Sequence, residues 1–218
     1  ICNDMGVIDE LKRLLTIKAD ADSSLIEQRF EEISTLLLNH CCIKRGSKVF
    51  YIEEIEFYFY NSNHRDLITY PRSTKALQWY LNAFGGIDLT FDSHVTTQND
   101  GKKETFSLDE RSAFGGILLR KFSYENENIN YPMNCAYKMF DILDAVSRPE
   151  DYPILIECED RRKPIRTKAR TNIITKNDTV ETKVKKILRN NSIINELTDK
   201  MLVDFGEFIK KKYKYYTE

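Results

Sequence analysis

The sequence predicts an α+β fold, in which helices flank a central group of antiparallel strands. Apolar stripes with helical spacing occur near both ends of the chain, strand-like alternation occupies the middle, and no βαβ rhythm is present. The chain has 218 residues, 41% of them hydrophobic, which is enough for a sizeable core. No apolar run approaches the roughly 18 residues of a spanning helix. We therefore expect a single soluble domain with no membrane segment.

The N-terminal part of the chain has two helical patterns. A short helix is predicted over 7–16 and a longer one over 24–39, where a Ser24–Glu27 capping box precedes the apolar stripe. That stripe consists of Ile26, Phe30, Ile33 and Leu37.

Residues 48–60 alternate and predict a strand with one core face. Its apolar odd positions are Val49, Tyr51, Ile55, Phe57 and Phe59, and Glu53 interrupts them. Its even positions include Glu54, Glu56, Tyr58 and Tyr60.

The middle of the chain predicts further strands around two loops. A loop over 61–75 and another over 92–111 separate strands predicted at 77–82, 86–91 and 113–122. The word Ala-Phe-Gly-Gly-Ile occurs at 83–87 and again at 113–117, and marks two places of close backbone approach. Sheet packing and a bound ligand explain this equally well.

The C-terminal part predicts a helix over 134–147, a short strand over 154–158, a helix from the Asp178–Glu181 cap to 189, and a last helix over 192–212. The intervening stretch 161–177 has no clear periodicity. We expect 1–160 to form the α+β core with its N-terminal helices, and 161–218 to be a basic segment with helices packed on the same domain.

Charge is distributed unevenly between these two parts. Residues 1–160 hold 17 basic and 27 acidic side chains, whereas 161–218 hold 16 and 7. The basic excess is concentrated in 161–189. Such a segment neutralises phosphates and gives affinity for nucleic acid that does not depend on sequence. Docking on the acidic part of the same chain is an equally good interpretation.

Cysteine and histidine usage gives no sign of a metal site. The five cysteines form no Cys-x-x-Cys spacing, and three histidines are too few for a zinc-like cluster. An odd number of cysteines is also a poor disulfide framework, so a reducing compartment is expected. No phosphate-binding loop, dinucleotide, nucleophile-elbow or kinase motif is present.

The polar face of strand 48–60 is the best candidate for chemistry. Glu54 and Glu56 project from it roughly 7 Å apart, so repulsion and desolvation should raise the pKa of one carboxyl group. Tyr58 continues this face and offers a stacking surface. The alternative is an ordinary half-exposed strand face. Asp88, among apolar neighbours, requires a partner, and Arg120 either pairs across the sheet or marks the strand end.

Several short motifs of the chain, taken in order, resemble those of a known family. Ile52-Glu53-Glu54-Ile55-Glu56-Phe57-Tyr58, a loop His64, a hairpin with Trp79-Tyr80 and Phe84-Gly85, and Gly116-Ile117-Leu118-Leu119-Arg120 are similar to the alkyladenine (3-methyladenine) DNA glycosylase superfamily. The Gly-Gly-Ile-Asp-Leu-Thr-Phe and Gly-Gly-Ile-Leu-Leu-Arg words look closest to an uncharacterised bacterial branch of it. The resemblance covers about residues 45–122.

The resemblance implies a fold and a set of roles. The fold is a curved antiparallel sheet, and the activity is hydrolysis of the N-glycosidic bond of a flipped, modified base in base-excision repair, without metal or cofactor. Glu56 would activate water, and Arg120 would hold that water and the glutamate. Tyr58, His64 and Asp88 would bind the base. Phe84 would lie near the tip that wedges into DNA.

Three function classes follow. The first is a monomeric DNA glycosylase acting on double-stranded DNA, in the cytoplasm at the nucleoid or in the nucleus. The second is a non-catalytic nucleic-acid-binding protein on the same scaffold, and the third is a protein-interaction module. In the first two classes the expected phosphate contacts are Arg161, Arg162, Lys163, Arg166, Lys168 and Arg170.

Overall fold

A long, two-faced strand organises the fold. The computed structural model describes residues 6–83, 85–99, 101, 104–141, 146, 152–171, 173–176 and 178–218. The helices are α1 (Val7–Leu14), α2 (Ser23–Thr35, continued by a π-helical turn over Leu36–His40), α3 (Pro132–Phe140), α4 (Val180–Asn190) and α5 (Asp199–Phe208). The strands are β1 (Cys41–Arg45), β2 (Lys48–Asn61), β3 (His64–Arg65), β4 (Trp79–Leu81), β5 (Ile87–Thr90), β6 (Thr96–Asn99), β7 (Glu104–Ser107), β8 (Ala113–Tyr124), β9 (Glu127–Asn130), β10 (Ile154–Glu157), β11 (Ile165–Lys168) and β12 (Lys214–Thr217).

Ten of the strands that the structure describes form one antiparallel sheet, and β6 pairs with β7 as a separate hairpin. One edge of β2 pairs with β8 along nearly its whole length. The other edge pairs in turn with β1, β12 and β3. The sheet continues from β8 to β5 and β4, and from β1 to β10. The predicted mixture of helices with a largely antiparallel sheet is therefore confirmed.

The two faces of β2 are covered by different helices. Phe57 and Phe59 pack with α1 and α2 in the larger apolar core. Tyr60 belongs to a second cluster with apolar side chains of α4 and α5, where its ring stacks on Phe114. Because α4 and α5 approach the face that carries Tyr58, any cleft there has a sheet as its floor and a helix as its wall.

A β-bulge corrects the predicted phase of β2. The register with β8 shifts between Ile52 and Glu54, so Glu53 is the extra residue. Before the bulge the core side chains are Phe50 and Ile52, at even positions, and Tyr51 is exposed. Beyond it the odd positions are buried as predicted. The interruption at Glu53 was thus the sign of a bulge.

Other boundaries differ from the predictions for local reasons. The cap of α2 is Asp22, whose side chain accepts a hydrogen bond from the Leu25 amide, rather than Ser24. The predicted loop over 92–111 contains the β6–β7 hairpin. Helix α3 ends at Phe140, and Val146 is exposed. Residues 142–145 and 147 of the predicted 134–147 helix lie outside the described residues.

The basic C-terminal part belongs to the same sheet. Strand β11 lies within the stretch that showed no periodicity, and it pairs with β12, which in turn pairs with β2. The predicted helix over 192–212 is shorter, and after α5 the chain returns as β12. Tyr213 and Tyr215 are buried in the core, so the alternation of Tyr and Lys in this segment was a strand pattern.

No helix within the described ranges is long and apolar enough to cross a membrane.

Candidate active site

A cavity of about 490 Å³ lies on the polar face of the sheet. Its floor is formed by three adjacent strands, because Tyr58 of β2 lies opposite Gly116 of β8, and Leu118 of β8 lies opposite Asp88 of β5. Helix α4 and the start of α3 form its walls. This volume falls in the range of about 300–1,000 Å³ that is typical of small-molecule sites.

Gly116 of β8 packs closely against two side chains that line the cavity. A Cβ atom at this position would lie 3.0 Å from the carboxylate of Asp88 and 3.1 Å from the Arg72 guanidinium. Gly86, which lines the cavity, is similarly close to Leu118. The close backbone approach predicted for both Gly-Gly motifs is therefore confirmed, and the neighbours are other parts of the protein.

Glu56 lies beneath the floor of the cavity, behind the lining residues Tyr58 and Arg120. The Tyr58 hydroxyl donates to Glu56 Oε2 at 2.8 Å, and Arg120 donates to the same oxygen at 2.9 Å. The Glu56 side chain is fully buried. Its second oxygen, Oε1, accepts no hydrogen bond within the described structure, and its nearest cation is Lys214 Nζ at 3.5 Å. The carboxylate thus has one fixed oxygen and one with unused acceptor capacity.

Glu54 shares the cations of Glu56. Lys214 Nζ lies 2.6 Å from Glu54 Oε1, and Arg120 Nε lies 3.3 Å from the same atom. Burial alone would raise the pKa of Glu54, but the hydrogen bond from Lys214 and the charges of Lys214, Lys168 and Arg120 outweigh it and lower that pKa. The predicted raised pKa is therefore wrong for Glu54, because the neighbouring cations dominate.

Tyr58 has one ring face occupied. The guanidinium of Arg170 lies 4.8 Å from its ring centre, so only the other face is available to a ligand. Burial, followed by the adjacent charge of Glu56, raises the pKa of the Tyr58 hydroxyl well above its ordinary value. The hydroxyl therefore stays protonated and remains a donor to Glu56.

Asp88 has the partners that its apolar surroundings required. Arg72 donates to Asp88 Oδ2 at 2.7 Å and Asn82 donates to Oδ1 at 3.1 Å. The Arg72 guanidinium also lies 4.5 Å from the centre of the Tyr80 ring. Asp88, Arg72 and Asn82 all line the cavity, so they give its floor a fixed pattern of donors and acceptors.

His64 is placed elsewhere, and its predicted base-binding role is not supported by the geometry. The side chain of Asn61 accepts hydrogen bonds from the amides of Asn63 and His64, which turns the chain back so that His64 pairs beside β2. Its ring lies on the core face of the sheet, against Phe208 and Tyr213. Burial lowers the pKa of His64 to about 3, with a smaller effect from nearby cations.

Four of the six predicted phosphate contacts are engaged inside the protein. Arg161 and Lys163 pair with the bulged Glu53, and Lys168 lies 3.5 Å from Glu54. Arg170 is fully buried and makes a two-point contact with Asp66. The prediction is wrong for Arg170 in particular, because no phosphate can reach a fully buried guanidinium. Docking of the basic segment on the acidic part of the chain explains all four.

The remaining predicted DNA contacts are Arg162, Arg166 and Phe84. Arg162 and Arg166 are exposed, each with an acidic neighbour, Asp160 and Glu218 respectively. Phe84 lies outside the described residues. Among its described neighbours, Asn82 and Gly86 line the cavity together with Tyr131 and Pro132 at the start of α3.

Several residues of the site were not predicted from the sequence. Lys214 lies directly opposite Glu56 because β12 pairs with β2, and only the Tyr/Lys alternation could have indicated this. Tyr131 lines the cavity mouth, is 70% exposed, and has a backbone φ of 75°. Such a conformation is costly for a residue other than glycine and is concentrated at functional sites. Lys183 and Lys186 of α4 also line the cavity.

Among the residues that the structure describes, no group of three or more His, Cys, Asp or Glu side chains is placed to hold a metal ion.

Comparisons with known proteins give limited information. No family model matches the chain. The chain is similar to Uncharacterized protein L759 of Acanthamoeba polyphaga mimivirus, with 27% identity over 133 residues that cover 55% of this chain. The match spans 60% of the length of that relative, whose name carries no activity.

Proposed function

We propose that this protein is a hydrolase that cleaves the N-glycosidic bond of a modified nucleotide in DNA, after the base has rotated into the cavity. The observation that carries the proposal is the contact of Glu56 with Arg120 and Tyr58 at the floor of the cavity. It joins a carboxylate, a cation and an aromatic ring beside a space large enough for a base. The order of motifs that resembles the alkyladenine DNA glycosylases adds to this support.

The chemistry assigns each group a task. Water attacks C1′ of the nucleotide, the C1′–N bond breaks, and the base leaves with the bonding electrons. Glu56 Oε1, the oxygen without a hydrogen bond, accepts the proton of that water, while Arg120 and Tyr58 hold Oε2. General-base catalysis of this kind contributes about 10²–10⁴-fold to the rate.

Base binding must offset the cost of extrusion. Taking a base out of the stack costs a few kcal/mol, and least for a damaged or mismatched one. Stacking on an aromatic side chain contributes about 1–3 kcal/mol per base, and the free face of Tyr58 supplies such a surface. Arg72, Asp88 and Asn82 supply donors and acceptors for the edge of the base. Double-stranded DNA as partner and a nucleoid or nuclear location belong to this proposal.

A second function is favoured by one observation. Glu56 is fully buried, and Tyr58 and Arg120 lie between it and the cavity, so water reaches Oε1 only if one of them moves. A protein that binds the extruded base without cleaving the bond has no need of such a movement. Non-catalytic recognition of nucleic acid is therefore the alternative.

Base release distinguishes the two functions. Wild type, Glu56→Gln and Glu54→Gln are incubated with alkylated duplex DNA, and the freed bases are measured by mass spectrometry. Glu54→Gln is the matched control, because Glu54 also contacts Arg120 and Lys214 but makes no contact with Tyr58. We expect a loss of about 10²-fold or more in Glu56→Gln only. Equal release by Glu56→Gln and wild type contradicts the catalytic role, and binding without release by any variant supports the alternative.

A further inference from the structure

One face of α4 forms the wall of the cavity opposite the sheet. Lys183, Lys186, Ile187 and Asn190 all line the cavity. Their spacings of three, four and seven residues place them on one side of a helix. Lys185 and Glu181 are not among the lining residues, and they pair with each other at 2.5 Å. Helix α4 thus presents two lysines to the cavity and a third away from it.

These two lysines differ from the arginines of the cavity in how their charge is compensated. Arg72 is paired with Asp88, and Arg120 with Glu54 and Glu56. In contrast, the Lys183 ammonium has no hydrogen-bond or ion-pair partner among the described residues.

Lys186 has a partner but remains accessible. Its Nζ lies 2.6 Å from Asp178 Oδ1, and its side chain is half exposed. Lys183 therefore carries the uncompensated positive charge on this side of α4, and Lys186 is accessible although it is paired.

Ion pairs within the protein reduce the number of basic residues in 161–189 that are available to a phosphate. Arg161 and Lys163 contact Glu53, Lys168 contacts Glu54, and Arg170 contacts Asp66. Of the basic residues between 161 and 189 that the structure describes, Lys183 and Lys186 are the ones that line the cavity. A fully buried pair such as Arg170 with Asp66 is closed to a phosphate. Lys183 and the half-exposed Lys186 line the cavity, and a lysine that binds a phosphate releases counterions.

We infer that the cavity-facing side of α4 is a phosphate-binding subsite, in which Lys183 and Lys186 contact the DNA backbone beside the nucleotide whose base occupies the cavity. This inference rests on the proposed function and names its substrate class as a nucleotide within a DNA strand rather than a free nucleoside or base. Asn190 and Asn191, which also line the cavity, supply further donors next to the two ammonium groups.

The test is the salt dependence of DNA binding. Fluorescence anisotropy of a short labelled DNA duplex is measured between about 50 and 200 mM salt for wild type, Lys183→Gln, Lys186→Gln and Lys185→Gln. The first two substitutions each remove one phosphate contact, so we expect each to reduce the slope of log K against log salt by about 0.9. Lys185→Gln is the matched control, with the same charge change on the other side of the same helix, and we expect it to leave the slope unchanged.

The outcomes separate this inference from the proposed function. Absence of duplex binding by wild type, unchanged slopes in both Lys183→Gln and Lys186→Gln, or an equal decrease in Lys185→Gln each overturns the phosphate subsite. If binding depends on α4 but no base is released, the subsite stands and the hydrolase proposal fails. If base release persists and is insensitive to both lysines, the hydrolase stands and the subsite fails.

Discussion

The buried pair of Arg170 and Asp66 predicts that Arg170 maintains the fold and does not contact a ligand. Both side chains are completely buried, and the guanidinium meets the carboxylate at 2.6 and 3.1 Å. The same guanidinium donates to the backbone carbonyls of Phe57 and Phe208, at 3.1 Å each. It therefore links β2 to the end of α5 across the molecule.

The expected loss of stability in Arg170→Met follows from the buried groups that lose their hydrogen-bond donor. One buried carboxylate and two buried carbonyls lose their donors, and breaking a buried pair from one side costs about 3–5 kcal/mol. In a chain of this length, each kcal/mol corresponds to about 2–4 °C, so we expect the melting temperature to fall by roughly 6–20 °C. Replacing both partners, in Arg170→Met with Asp66→Leu, should cost less than the sum of the two single substitutions, because no charge stays unpaired.

Urea denaturation of the two single variants and the double variant measures this coupling. Arg166→Met is the matched control, because Arg166 is exposed and pairs with Glu218 on the surface, where such pairs contribute about 0–1 kcal/mol. A loss below about 1 kcal/mol in Arg170→Met, or an equal loss in the control, would refute the reasoning. Weaker DNA binding without loss of stability would instead restore Arg170 as a phosphate contact.

Three further predictions concern pH, ligand binding and packing. Burial holds the pKa of His64 near 3, against 6.5 for an ordinary histidine. As the pH falls, the histidine is therefore protonated first in the unfolded chain. The free energy of unfolding should then fall by up to about 1.4 kcal/mol per pH unit below pH 6.5. A flat urea-denaturation profile between about pH 5 and 6.5 would show that His64 is not buried. Tyr131→Ala should weaken DNA binding by about 1–3 kcal/mol in the anisotropy assay. Tyr137 is equally exposed but does not line the cavity, so Tyr137→Ala should leave DNA binding unchanged. Equal effects of the two substitutions would exclude stacking by Tyr131. Gly115→Ala should lower the free energy of unfolding by about 1–3 kcal/mol, because the added Cβ atom would lie 2.4 Å from the Tyr58 carbonyl oxygen. Wild-type stability of this variant in thermal unfolding would disprove that close contact.

Local patterns were sufficient to predict much of the sheet. Alternation over 48–60 identified β2, and Glu56, Tyr58 and Arg120 lie together as expected because β2 and β8 pair along most of their length. Alternation marked an interruption at Glu53 but did not identify it as a bulge, in which one extra residue reverses the phase of everything before it. Asp88 was correctly expected to need a partner, but nothing local identified Arg72.

Long-range pairing accounts for what could not be predicted. Lys214 reaches Glu56 only because β12 enters the sheet beside β2, a contact between residues far apart in the sequence. The basic stretch contains many charges of one sign, and composition does not indicate whether they meet phosphates or carboxylates. His64 was interpreted as a loop residue, although Asn61 folds that loop back and buries the histidine in the core.

A single-turnover measurement of base release tests most directly the claim that the cavity is an active site with separate catalytic and phosphate-binding parts. Release from alkylated duplex DNA is followed at limiting and at saturating protein, for wild type, Glu56→Gln and a Lys183→Gln/Lys186→Gln double variant. We predict that Glu56→Gln is slow at both concentrations, whereas the lysine variant is slow only at limiting protein, because it loses binding and retains the chemical step. Wild-type rates in Glu56→Gln, or no release by wild type at saturating protein, would contradict the account.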